Sequence, residues 1–170
     1  MTTVLVAGIG NLFLGDDGFG PEVARRMARA DSGEPIPDGV RVVDYGIRGM
    51  HLAYDLLDGV GALVLVDALP GEGPAGTLTV LEVGPDDLGE GEFDAHGMDP
   101  VAVLASLEAM GGRLPPTYVV GCRPADLSEG IGLSEPVAQA VGEAVLTVRR
   151  LVHEIVRGDD SELASAEKVG

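Results

Sequence analysis

Basic residues, histidine and cysteine are all scarce in this chain. Only 11 Lys and Arg stand against 28 Asp and Glu, which leaves a net charge of −17 and a pI near 4.2. That balance argues against non-specific binding to nucleic acid or to an anionic membrane surface. It suits a cation or a basic partner instead. The single Cys122 excludes an internal disulfide framework and a cysteine zinc cluster. With only His51, His96 and His153 available, any metal site has to lean on carboxylates. Long apolar runs are missing too. The stretch from Val4 to Leu14 falls short of the roughly 18 residues that a membrane span needs. It has no Lys or Arg ahead of it and runs straight into Asp16-Asp17, so it does not read as a signal peptide. Arg25-Arg26 lie beyond those acids in a helical pattern, which makes a twin-arginine signal a poor reading as well. The expected location is the cytoplasm, with no membrane or nucleic-acid partner and a monomer as the default state.

What is present suffices for one core. The 170 residues are 45% apolar with a mean hydropathy of +0.23, enough for a single domain without staples. The pattern predicts one α/β domain over residues 1–157 and a polar, frayed tail over 158–170. Short apolar runs at 3–7, 40–43, 62–66, 78–83 and 117–121 read as strands, the fourth as an edge strand because it alternates. Helical patterns follow near Pro21, over 49–57, over 99–110, and from Ser134 as N-cap along Val137, Val141, Val145, Val148, Val152 and Ile155. Strands alternating with helices indicate a layered α/β fold with a mostly parallel sheet. Ligands of such sheets bind beyond the carboxyl ends of the strands. The segments 8–20 and 44–49, and Asp67 with its following loop, all fall there.

The first of these segments is rich in glycine without being a phosphate loop. After Gly8 and Gly10, a dinucleotide fingerprint needs a third glycine where Phe13 stands, and a P-loop needs Lys after Gly15, where Asp16-Asp17 stand. Two carboxylates repel a phosphate by about 1 kcal/mol per like-charge pair in water, and by several times that where partly buried. The same loop suits a cation, although one acid of the pair could simply cap the next helix. Asp67 closes the most apolar strand, where a turn-forming aspartate is the plainer reading. His96 stands just ahead of a helix and could equally be a surface histidine. Together Asp17, Asp67 and His96 make a two-carboxylate, one-imidazole set with open positions, compatible with Zn, Ni, Mn or Fe. Between Gly49 and Gly112 there are twelve acids and no Lys or Arg, a negative field that favours a cation or basic partner nearby. Cys122, at a strand end, reads as a small core residue. His153 reads as a helix-surface residue, and His51 as a minor candidate closer to the cleft.

The stretch Gly8-Ile9-Gly10-Asn11-Leu12-Phe13-Leu14-Gly15-Asp16-Asp17-Gly18-Phe19-Gly20-Pro21 resembles the N-terminal signature of the NiFe-hydrogenase maturation proteases. Asp44-Tyr45-Gly46-Ile47-Arg48-Gly49-Met50 resembles their second glycine motif, Leu65-Val66-Asp67-Ala68 their third strand, and His96-Gly97-Met98 their histidine before a helix. Gly132-Leu133-Ser134, with Val137 and Ala140-Val141, resembles the start of their last helix. The similarity runs in order from about Thr3 to Val156. It implies a three-layer α/β/α fold around a twisted, mostly parallel five-strand sheet. It implies an endopeptidase that removes the C-terminal extension of a hydrogenase large-subunit precursor after nickel insertion. The metal-contacting residues map onto Asp17, Asp67 and His96, and the nickel belongs to the substrate, though other divalent metals could occupy the site. One departure is Ile47, where the family usually has threonine. No Ser/His/Asp or Cys/His triad is evident, so Asp16 is the candidate base for activating water, with attack by a metal-bound water as the other route. A non-proteolytic nickel-binding or chaperone module would use the same ligands. A related nucleotide-handling α/β enzyme is a further possibility, disfavoured by the Asp16-Asp17 charge.

Overall fold

The computed structural model describes residues 3–29, 35–84 and 100–158. Its elements run β1 (Val4–Ile9), a 3-10 turn (Gly15–Gly18), α1 (Phe19–Ala28), β2 (Val40–Gly46), α2 (Gly49–Leu57), β3 (Ala62–Ala68), β4 (Leu78–Val83), α3 (Pro100–Ala109), β5 (Thr117–Cys122) and α4 (Glu135–Arg157). Each predicted strand and helix is present, with shifts of a few residues at its ends. The tail at 159–170 lies outside the described residues.

The five strands form one sheet in the order β2-β1-β3-β5-β4. β1 pairs parallel with β2 and β3, and β3 pairs parallel with β5. Only β4 runs antiparallel, against β5, and its four middle residues are exposed, as suits an edge. The three inner strands β1, β3 and β5 are buried at every position, which explains their unbroken apolar runs: both faces are covered.

Side chains alternate across a strand, so each inner strand feeds two cores. Val4, Val6, Val64, Val66 and Val120 pack with Phe19, Val23 and Met27 of α1 and with Val137, Val141, Val148 and Val152 of α4. Leu5, Ala7, Ile9, Leu63, Leu65 and Val119 pack on the other face, with Leu52 and Leu56 of α2 and Leu104 and Leu107 of α3. The result is the expected three-layer α/β/α arrangement. Each fully buried valine or leucine contributes roughly 1.5–3 kcal/mol.

Two glycines set the distance between layers near the site. A Cβ on Gly8 would collide with the Gly20 carbonyl oxygen and the Ala24 side chain. A Cβ on Gly20 would collide with the carbonyl oxygens of Ile9 and Val66. The first turn of α1 therefore lies directly on the backbone of β1 and β3, closer than any side chain permits.

Candidate functional site

The chain goes from β1 to β2 on one side and comes back to β3 on the other side of β1. This reversal opens a crevice at the carboxyl ends of β1 and β3, where ligands of open α/β sheets bind. The 3-10 turn follows β1 into that crevice, and Asp67 stands at the end of β3, level with Gly121 of β5. Two segments about fifty residues apart in sequence thus deliver acids to one place.

Asp67 is 1% exposed, and its Oδ2 has no hydrogen-bond partner among the described residues. Burial first, and the charge of Asp17 second, push its carboxyl well above the usual carboxylate range, against a smaller opposing hydrogen bond from the Ala68 backbone. A buried carboxylate oxygen without a partner costs on the order of 1–3 kcal/mol or more. It is tolerated where something else uses the group. Asp17 is also buried, and its Oδ2 accepts a hydrogen bond from the Asn11 backbone N–H at 2.8 Å. The Asn11 side chain in turn accepts from the Phe13 N–H at 2.8 Å, tightening the loop. Asp17 and Asp67 are the two buried acids here that could hold a cation. A divalent ion between them would relieve the mutual repulsion and supply a partner to the orphan oxygen. Among the described residues no three His, Cys, Asp or Glu side chains gather as a metal site. His96, the third member of the expected set, lies outside the described residues.

Asp16 has a different occupation. It is fully buried, and its two oxygens take four donors: Ser134 N at 2.7 Å on Oδ1, and Ala125 N at 2.8 Å, Asp126 N at 3.0 Å and Ser134 Oγ at 2.8 Å on Oδ2. Burial alone would raise its pKa, but these hydrogen bonds outweigh burial and hold it below the ordinary value. A general base needs a free lone pair and an affinity for protons near the working pH. Asp16 keeps spare acceptor capacity only on Oδ1, and its lowered pKa weakens its hold on a proton, which argues against the role of base that sequence reasoning gave it. Neither acid stands at the N-cap position of α1, which is Gly18. Ser134 does stand at the N-cap of α4 as expected, yet its hydroxyl serves Asp16 and not its own helix. That partnership spans 118 residues, and no local pattern announces it.

The second glycine motif docks against the first. Gly46, at φ +57°, offers its carbonyl to the Gly10 N–H at 3.0 Å. Arg48 ties the turn down by donating from Nη2 to the Asp44 carbonyl at 2.7 Å and from Nε to the Tyr45 carbonyl at 3.1 Å. Ile47 protrudes beyond this turn, 61% exposed. Leu12, Phe13 and Ile131 are exposed as well. Leu12 and Ile131, with Leu133, Ala138 and Val141 and the charged Glu22 and Arg26, line a pocket of about 260 Å³ that Gly15 and Gly18 also border. Sequence reasoning passed over this apolar rim, since nothing in the pattern separates an exposed leucine from a core one.

The remaining candidates sit elsewhere. His51 and His153 are exposed on α2 and α4. Cys122 is buried in the core beneath α4. Burial first, and the charge of Asp16 second, push its thiol up to about 11, so it stays protonated at neutral pH.

Comparison with known proteins adds a consistent result. A family model described as hydrogenase maturation protease matches residues 21–150. A putative hydrogenase maturation protease of Methanocaldococcus jannaschii is 32% identical over 147 residues, covering 84% of this chain and 91% of its own. A hydrogenase expression/formation protein of Azotobacter chroococcum is 34% identical over 175 residues, covering 96% of this chain and 81% of its own. Among solved structures, the hydrogenase maturating endopeptidase HybD from E. coli superposes with a TM-score of 0.75 at 25% identity, covering 89% of this chain and 93% of that one. The hydrogenase 2 maturation peptidase of a Thaumarchaeota archaeon gives 0.67 at 32% identity, covering 89% and 98%.

Proposed function

The chain belongs to the hydrogenase maturation protease family, and from that premise we propose that it is an endopeptidase removing the C-terminal extension of a NiFe-hydrogenase large-subunit precursor once nickel has been inserted. The observation that carries the finer reading is Asp67: a buried carboxylate with an orphan oxygen, facing the charge of Asp17 at the crevice of the sheet. Burial and the charge of Asp17 favour the protonated form of Asp67, and a cation docking beside both would displace that proton and take its place. In this reading the cation is the substrate's own nickel, and His96 completes the set. An empty precursor leaves the carboxylates unpaired and gains nothing on docking, whereas a loaded one relieves them. The differential affinity makes nickel the signal for processing.

The residues of the chain then divide the work. Asp17, Asp67 and His96 hold the loaded end of the precursor and fix the scissile bond beside the glycine turn, a proximity effect. The exposed apolar side chains of Leu12, Phe13, Ile131 and Ile47 support a protein substrate, since exposed apolar surface marks places where other proteins dock. Cys122 takes no part, and the attacking group is water. The protein acts in the cytoplasm, where precursors are assembled, and keeps no resident metal.

The test is incubation of the purified protein with nickel-loaded and nickel-free large-subunit precursor, read by intact mass. Loss of a C-terminal peptide from the loaded form alone is the expected result. Transfer of nickel onto this protein without cleavage would make it a binding module. Cleavage of both forms would keep the protease and discard the metal check.

A further inference from the structure

We propose that Asp16 is a positioning residue: its carboxylate clasps the glycine turn to the loop ahead of α4 and thereby sets the direction of Asp17. The inference rests on the reading of Asp17 as part of the substrate-holding site. All four donors to Asp16 come from 109 to 118 residues away, from Ala125, Asp126 and Ser134. The backbone joins in around it. Asp16 N donates to Asp126 O at 2.9 Å, Gly15 N to Gly130 O at 2.9 Å, and Gly130 N to Phe13 O at 2.8 Å. The turn is therefore held by both side chain and main chain, while Asp17, one peptide bond along, carries the charge that acts on Asp67.

Three features argue that the clasp serves the site. First, Oδ2 receives three donors and Oδ1 one, so the carboxylate has little capacity left for a water or a substrate proton. Second, Ser134 stands where its hydroxyl would ordinarily accept from its own helix, and instead donates to Asp16. Third, the carboxylate lies at the positive end of α4, a 23-residue helix and the longest among the described residues, so a long rigid body anchors the turn. A short turn without such an anchor would let Asp17 drift, and a misplacement near 1 Å can cost about 100-fold in rate.

The experiment uses the full chain and nickel-loaded precursor, with wild type, Asp16→Asn, Ser134→Ala, Ser134→Thr and the Asp16→Asn/Ser134→Ala double variant. Asparagine places an amide NH₂ where donors converge, so part of the clasp must open. The expected result for Asp16→Asn is a fall in kcat/KM of about 10- to 100-fold, with the shape of the pH–rate profile unchanged. Ser134→Ala falls less, Ser134→Thr recovers the wild-type rate, and the double variant is no worse than Asp16→Asn alone, because both act on one clasp. If Asp16→Asn fails to fold, Ser134→Ala and its threonine rescue still decide the matter. Processing at the wild-type rate by Ser134→Ala would overturn the proposal, as would a lost acidic limb in the Asp16→Asn profile, which would make Asp16 the base after all. A wild type that does not cleave loaded precursor brings down the endopeptidase reading and this inference with it. A wild type that cleaves beside variants that cleave equally well brings down the inference alone.

Discussion

Three aspartates of similar burial do three different things here, and hydrogen bonding separates them. Asp16 is saturated with donors, Asp17 accepts from Asn11, and Asp67 keeps an orphan oxygen. The last arrangement costs stability, so Asp67→Asn should stabilise the isolated protein while abolishing processing. A gain on the order of 1–3 kcal/mol would raise Tm by about 2–4 °C per kcal/mol in a chain of this size. A loss of Tm would instead make the carboxylate a member of the core. The pH dependence has a definite sign. The folded Asp67 keeps its proton above the ordinary carboxylate value, so the folded chain binds more protons than the unfolded one in that window, and stability falls as pH rises through it. Asp67→Asn should remove that fall in a Tm series taken across the window. Asp16 works the other way: its contribution is complete above the ordinary value and is lost as pH falls through the lower folded one. Cys122, with its thiol protonated and buried, should be dispensable. Cys122→Ala is expected to keep full processing of loaded precursor at a stability cost near 1 kcal/mol, and a fall in turnover beyond what the Tm shift explains would restore the thiol to the mechanism.

Elements meet closely where glycine permits it, and this is clearest between α1 and the sheet. Gly20 faces the carbonyl oxygens of Ile9 and Val66, so Gly20→Ala must push α1 away from β1 and β3. Overpacking of this kind costs about 1–3 kcal/mol, at times more. Because α1 continues the turn that carries Asp17, processing should fall further than stability does. Denaturant melts beside turnover of loaded precursor would show it, and a variant as active and stable as wild type would mean that the close approach is not needed. The elements themselves were legible in the sequence: the range of α2 comes out as 49–57 in both readings, and α4 begins after Ser134 as its apolar spacing requires. Legibility fades at strand ends. β2 and β3 run on through Gly46 and Ala68, because pairing with neighbours extends a strand past its apolar residues and draws Asp44 and Asp67 into the ladder.

At the scale of the whole molecule, the net charge of −17 is the dominant feature. Arg25 and Arg26 share one partner, Glu22, on the exposed side of α1, which does little to offset it. Self-repulsion of this size destabilises the compact state. Raising ionic strength from about 0.01 M to 0.15 M shortens the screening length from about 30 Å to 8 Å and is expected to raise Tm. A Tm indifferent to salt would mean that the acids are spaced too far apart to repel. No helix among the described residues is long and apolar enough to cross a membrane, in keeping with the absence of a long apolar run.

Composition and pattern determined the class of fold, the order of its elements and the family, and singled out Asp16, Asp17 and Asp67 as candidates. These depend on periodicity and on contiguous motifs, which a linear string carries. Tertiary structure alone decided what each acid does. Asp16 and Asp17 are neighbours in sequence and chemically identical, yet one is claimed by donors 109 to 118 residues away, while the other accepts from Asn11 and places its charge near Asp67. Partners so distant become neighbours only when the sheet order reverses at β1 and β3, and that reversal leaves no local trace in the chain.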